Sequence, residues 1–160
     1  MRMSKRILVP IDGSDLSKLA YDQAIKLAKR INANVTLIHV LEPIIFDFES
    51  FGYPYIDPPY NISRKGNKRI MESILNGLAG KGKKEGISVS STIVKGQVAN
   101  EIIRMSRNYD LIIMGLLSHS ALSRLLFGSN AEKVARKATC PVMLVKEINK
   151  KGRKKLVKVS

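Results

Sequence analysis

The order of elements in this chain predicts an α/β fold, a doubly wound five-stranded parallel sheet with helices on both faces. Three observations carry that expectation. Apolar runs of strand length alternate with helix-period segments along the chain. The runs are continuous rather than half polar, as in strands covered on both sides. A turn-forming Asp-Gly-Ser cluster closes the first run, at the carboxyl end where such sheets open into a crevice.

Residues 6–11 (RILVPI) form the first run, and Asp12, Gly13 and Ser14 end it. From Asp15 onward Leu16, Ala20, Ala24, Leu27 and Ile31 recur at helical spacing. Asp15 in the first turn and Lys29 and Arg30 in the last complement the helix dipole. Residues 32–34 break this helix, and 35–41 (VTLIHVL) read as a β-branched second strand. A second helix is expected over 63–85, with Ile70, Ile74, Leu75 and Leu78 as its inward stripe. Gly77, Gly80 and Gly82 each weaken it by about 1 kcal/mol relative to Ala, so packing must hold its second half. Residues 87–94 read as the third strand, and 97–107 as a helix turning Val98, Ile102 and Met105 inward. The fourth strand is 111–114, the fourth helix 131–137, and a short fifth strand follows Pro141 over 142–145.

Residues 42–61 fit no period. Four of the six prolines and six of the nine aromatic residues lie there, so the segment is expected to pack on something: a ligand, a second protomer or its own domain. Residues 1–146 read as a single domain and 147–160 as a basic tail. The chain carries 28 Lys and Arg against 13 acidic residues, a net charge of +15. In the closing stretch Lys146, Lys150, Lys151, Arg153, Lys154, Lys155 and Lys158 face Glu147 alone. Such a surface favours polyanions, or serves solubility. Mean hydropathy is -0.06, and no run approaches the roughly 18 apolar residues of a membrane span. The N-terminal apolar run is short and feeds a strand, so no signal peptide is expected. Cys140 is the sole cysteine, which points to a reducing, cytoplasmic setting.

The residues that carry chemistry lie late in the chain. Gly115 follows the fourth strand, and Gly128-Ser129 precedes the fourth helix, so a turn and a helix N-terminus meet the carboxyl edge of the sheet. Ser129-x-x-Glu132 has capping-box spacing, and the amides at that helix start suit a phosphate. Asp12 reads either as a turn former or as a ligand contact. His39 lies inside an apolar strand as a hydrogen-bonded residue, whereas His119 follows Gly115 within reach of a phosphate. Arg124 and Lys133 either neutralise phosphate or belong to a solvated basic face. One cysteine and two histidines without paired spacing argue against structural zinc. No Gly-x4-Gly-Lys-Ser/Thr and no Gly-x-Ser-x-Gly occurs, so neither a P-loop ATPase nor a serine hydrolase is expected.

The strand LIIMG, the spacing Gly115-x2-Ser118-x9-Gly128-Ser129 and the run AEKVARKATCPVMLVK strongly resemble universal stress proteins. So do RILVPIDGS and LIHV, and the likeness extends from Lys5 to Lys146. It implies a Rossmann-like sheet and a homodimer through the fifth strand, residues 142–146. The ATP-binding branch of the family has Gly-x2-Gly-x9-Gly-Ser/Thr around the phosphates. Ser118 stands here in place of the second glycine, where a hydroxyl can donate to a phosphate but a Cβ adds bulk. The resemblance implies Pro10, Ile11, Asp12, Val40, Met114, Gly115, Ser118, His119, Gly128, Ser129 and Asn130 as nucleotide-binding residues. The implied ligand is ATP, or AMP or ADP, with Mg or Mn, and Asp12 touching nucleotide-bound Mg. Val40 would offer backbone groups to the adenine edge. No residue has an evident catalytic duty, so at most weak ATP hydrolysis is expected. The competing function is a stress adaptor or nucleic-acid-associated protein that lacks nucleotide and works through its basic surface.

Overall fold

The computed structural model describes residues 4–42, 60–116 and 128–146, the side chains of 60–66 excepted. The expectations on residues 43–59, on Ser118, His119 and Arg124, and on the tail 147–160 lie outside the described residues. Nine elements alternate as expected: β1 Lys5–Pro10, α1 Asp15–Ile31, β2 Ala33–Leu41, α2 Tyr60–Lys84, β3 Val89–Lys95, α3 Val98–Ser106, β4 Leu111–Gly115, α4 Ser129–Lys137 and β5 Val142–Val145. The strand order is β3-β2-β1-β4-β5 and every pairing is parallel.

Side chains alternate across a strand, so each strand supplies two cores. Ile7, Val9 and Ile11 enter the core beneath α1 and α2, while Leu8 enters the one beneath α3 and α4. Val35 and Leu37 divide from Ile38 and Val40 in the same way, and Ile113 from Ile112 and Met114. This two-sided demand explains why the runs read as continuously apolar.

Helix α1 starts at Ser14, whose Oγ accepts the Ser17 amide at 3.1 Å, and ends at Asn32 in the left-handed region at φ 52°. Its buried face is Ser17, Ala20, Tyr21, Ala24, Ile25 and Ala28. Ile31, expected inward, is 40% exposed because it is the last helical residue, beside the turn into β2. On α2 the inward stripe is Met71, Leu75 and Ala79 with Ile74 and Leu78 at its margin. Ile70, expected in that stripe, is 59% exposed. It precedes Met71 by roughly 100° of helical rotation, and turning the helix to bury it would carry Gly82 away from β3.

Gly82 decides that orientation. A Cβ there would lie 2.5 Å from Val89 Cγ2 and 3.0 Å from the Tyr21 hydroxyl. That hydroxyl donates to the Leu78 carbonyl at 2.7 Å, and burial, then the charges of Glu85 and Asp22, push its pKa up to about 12. The seam is bordered by Lys81–Asp22 at 3.0 Å and Lys29–Glu85 at 2.6 Å, exposed pairs that add little to stability.

A Cβ at Gly77, by contrast, would meet nothing within 4 Å. Gly77→Ala is therefore expected to stabilise the protein by about 0.5–1 kcal/mol. Gly82→Ala forces α2 off Val89 and is expected to destabilise it by about 1–3 kcal/mol. Urea unfolding of both variants checks this, and equal shifts of one sign would refute it.

Candidate functional site

From β1 the chain steps outward to β2 and β3, then returns to the other side of β1 for β4 and β5. The crevice of an open parallel sheet forms at such a reversal, beyond the carboxyl ends of the strands. A cavity of about 370 Å³ lies there. Pro10, Ile11 and Asp12 enter it from the end of β1, Val40 from β2, Met114 and Gly115 from β4, and Gly128, Ser129 and Asn130 from the start of α4. These nine residues, predicted far apart in sequence, are brought together on one cavity.

The floor is set by backbone constraints. The Ile11 amide donates to the Ile38 carbonyl at 2.8 Å, prolonging the β1–β2 ladder past β1. The Ile11 carbonyl accepts from His39 Nδ1 at 2.7 Å, so that nitrogen carries the proton. This matches the hydrogen-bonded role expected for His39, but His39 also lines the cavity, which the sequence did not reveal. A Cβ on Gly115 would sit 2.9 Å from the backbone carbonyl of Leu16. Glycine at that point lets the end of β4 lie against the first turn of α1.

Asp12 has the turn-forming contact anticipated for it: its Oδ1 accepts the Ser14 amide at 2.9 Å. Burial acts to raise its carboxyl pKa, but hydrogen bonds from Ser14 and Ser17 outweigh this and hold it below the ordinary value of 3.8. Asp12 is thus an anion at neutral pH, exposed at the cavity rim.

Of the four helices that start at this edge, α1, α3 and α4 begin at the cavity, and they differ. At α1 the Ser14 hydroxyl occupies the Ser17 amide, with Asp12 and Asp15 beside it. At α3 the Val98 amide donates to Glu42 Oε1 at 3.3 Å. At α4 the cap is Gly128, without any side-chain cap hydrogen bond. This corrects the capping-box expectation. Ser129 is the first helical residue rather than the cap, and the Glu132 carboxylate turns along the helix to Arg136 at 3.1 Å. Glycine supplies no side-chain oxygen to the first turn, so among the described residues its amides have no capping partner.

The sequence also missed Ser14, Leu16 and Ser17 of α1 and Val98 and Ile102 of α3, which line the same cavity. Their signal was positional, since each begins the helix after a strand of the parallel sheet. Lys133 is half-buried within α4 and does not line the cavity. Cys140 is half-buried against the α3–α4 core, and burial, then the charge of Asp110, push its thiol pKa up, as suits packing rather than reactivity. Among the described residues no three His, Cys, Asp or Glu side chains gather to hold a metal ion. None of the described helices is long and apolar enough to cross a membrane.

Residues 3–146 match the model of the Universal stress protein family. The chain belongs to that family. It is 32% identical over 149 residues to universal stress protein YxiE of Bacillus subtilis, covering 90% of this chain and all of that one. A universal stress protein of Methanocaldococcus jannaschii is 30% identical over 156 residues, 91% of this chain and 84% of the relative. Among solved structures, UspA of Lactobacillus plantarum superposes with a TM-score of 0.75 at 21% identity over 91% of this chain and 99% of that one. A universal stress protein in complex with cAMP superposes at 0.65 with 23% identity, over 91% and 98%. A family member of Arabidopsis thaliana with AMP bound superposes at 0.64 with 18% identity, over 92% and 94%. At these identities the structural likenesses speak for the fold.

The lowered pKa of Asp12 makes an acid-range prediction. Its stabilising contribution is complete above the ordinary 3.8 and is lost as pH falls through the lower folded value. The stability gap between wild type and Asp12→Asn should therefore be constant above about pH 5 and shrink toward pH 2. Urea titrations across that range measure it, and a gap that widens with acid would exclude the assignment.

Proposed function

We propose that this universal stress protein is a regulator that binds an adenine nucleotide, ATP or the related AMP or ADP, in the cavity between β1 and β4. The observation that carries the reading is the contrast among the three helix N-termini. At α1 the cap Ser14 accepts the Ser17 amide, and at α3, whose own cap Gln97 makes no side-chain bond, Glu42 accepts the Val98 amide; at α4 no side chain among the described residues takes such an amide. An anion is drawn to the open one, because its first-turn amides have no side-chain partner among the described residues and the dipole's positive end lies there, with Glu132 turned along the helix to Arg136. The phosphates accordingly go to Gly128, Ser129 and Asn130, with Ser118 and His119 as further contacts. The apolar wall of Pro10, Ile11 and Met114 then receives the nucleoside, with Val40 backbone groups toward the base and Asp12 toward the ribose. Binding of AMP and cAMP by the relatives of like fold supports this choice of ligand.

A divalent cation, Mg or Mn, fits only as a companion of the phosphates. Asp12 is the one carboxylate on the described cavity wall, too few for a protein-built metal site. No cavity residue is assigned a catalytic role, and slow ATP hydrolysis would be incidental to binding.

The output is an assembly change. We place a homodimer contact on residues 142–146, because β5 is an edge strand with Met143 exposed. The Leu116 amide donates to the Val145 carbonyl at 2.8 Å, so the cavity side of β4 is tied to that edge. Nucleotide shifts the assembly only by binding its two states unequally. In this reading residues 1–146 act as one cytoplasmic domain and the basic tail 147–160 contacts polyanions.

Denaturing the purified protein and analysing the supernatant by mass spectrometry is expected to release an adenine nucleotide, or calorimetry to give micromolar binding, tighter with Mg. No release and no binding at millimolar ATP would refute the proposal. Gly128 sits at φ -51° and ψ 139°, which any residue adopts. Gly128→Val is therefore expected to keep its circular dichroism and melting temperature while affinity falls more than tenfold. Unchanged affinity would remove the phosphates from α4.

A further inference from the structure

We infer that the edge of the sheet where the strands begin is a docking surface for the phosphate backbone of duplex nucleic acid. It lies at the opposite end of the strands from the cavity and does not depend on the nucleotide reading. All five strands run the same way, so β1 to β5 all start along this edge and all four helices end at it. At one corner the last turns of α1 and α2 meet, joined by the Lys29–Glu85 pair. Arg30, Lys83 and Lys84 are exposed there and enter no ion pair among the described residues. At the other corner α3 and α4 end together, where Ser106 and Thr139 hydroxyls lie 3.0 Å apart. Arg107 and Lys137, both exposed, flank that contact.

Between the corners stands β1, the middle strand, which opens with exposed Lys5 and Arg6. The Arg6 guanidinium is held over the Tyr109 ring, 5.5 Å from its centroid. The local acids are already engaged. Glu85 accepts from Lys29, and Asp110 accepts the Arg6 amide at 2.7 Å.

Basic residues at helix C-termini offset the dipole, and that accounts for part of this charge. It does not account for Lys5 and Arg6, which open a strand. The first turns of α1, α3 and α4 carry Asp15, Glu101 and Glu132 at the other edge. The resulting field turns the basic edge toward a polyanion.

The dimensions fit. Five strands about 4.8 Å apart make an edge of about 19 Å, the length of five or six successive phosphates at 3.4 Å each. A membrane surface would be held through inserted apolar side chains as well as charge, and among the described residues this edge exposes one large one, Ile31. Stacking of a single strand needs open aromatic faces, and Tyr109 is already covered by Arg6. Charge alone, spaced along a line, is what a duplex backbone recognises.

The test is fluorescence anisotropy of the full-length protein with a labelled 20-base-pair DNA between 50 and 200 mM KCl. Log affinity is expected to fall with log salt at a slope of about -4 to -5. Lys83→Ala with Lys84→Ala should reduce that slope by about two, while Lys95→Ala at the far edge leaves it unchanged. Melting temperatures confirm that each variant is folded. An unchanged slope in the double variant would overturn the inference, as would absence of binding by wild type at 50 mM salt. So would loss of all binding when Lys150, Lys151, Lys154 and Lys155 alone are replaced by Ala, which assigns the contact to the tail. Tighter binding to phosphatidylserine vesicles than to the duplex would assign the edge to a membrane instead.

Discussion

Parallel pairing of all five strands is the constraint on which the rest of this molecule depends. A parallel strand cannot be reached by a tight turn, so each connection must cross back along a helix. Every helix therefore starts at one edge of the sheet and ends at the other. The edge of helix starts collects partial positive charge and unpaired amides, and the reversal between β1 and β4 leaves a cavity there. The opposite edge collects helix ends and, with them, lysine and arginine. The two surfaces with most evident chemistry are thus consequences of one backbone arrangement, one offering backbone amides and the other charged side chains.

Close approach then sharpens the architecture at two points where a side chain is missing. Gly115 lets β4 touch the first turn of α1, and Gly82 lets α2 settle against Val89, Tyr21 and Ile25. The first shapes the cavity floor and the second orients a 25-residue helix whose interior glycines weaken it otherwise. Tyr21 links the two helices of one layer, since its ring is buried with α1 while its hydroxyl is satisfied by a carbonyl of α2. An aromatic side chain can fill that position only because a partner lies at its polar tip.

The cavity shows how local chemistry selects among similar features. Three helix N-termini approach it, which by symmetry of construction would be three equal anion sites. Ser14 and Glu42 satisfy two of them, and glycine at position 128 leaves the third without a side-chain cap. A capping serine at the first, a contact from Glu42 at the second and a glycine start at the third make these repeated features unequal. Asp12, kept ionised by Ser14 and Ser17, adds a negative group at the rim, so a ligand would lie in one sense rather than the other.

Much of this was legible along the chain. Alternation of apolar runs with helical periods, the turn at Asp12 and the glycines at 115 and 128 specify strand order in sequence, the parallel sheet and the turns at its carboxyl edge, while the nine cavity residues came as a set from the resemblance to universal stress proteins. These are local signals, written in the residues that make each element. Helix phase was less legible: Ile70 and Ile31 are as apolar as their buried neighbours, and only contact with Val89 and the turn at Asn32 leaves them outside. The capping role assigned to Ser129 failed for the same reason, because whether a serine caps a helix or begins it depends on where the chain enters the turn. By itself the sequence determined the fold class and the turns that mark the carboxyl edge. Only the tertiary structure decided which helix N-termini meet a side chain, that His39 and the start of α3 share the cavity, and that scattered bases converge on one edge. Those facts are distances between residues remote in sequence, and a linear pattern carries no measure of them until the sheet has formed.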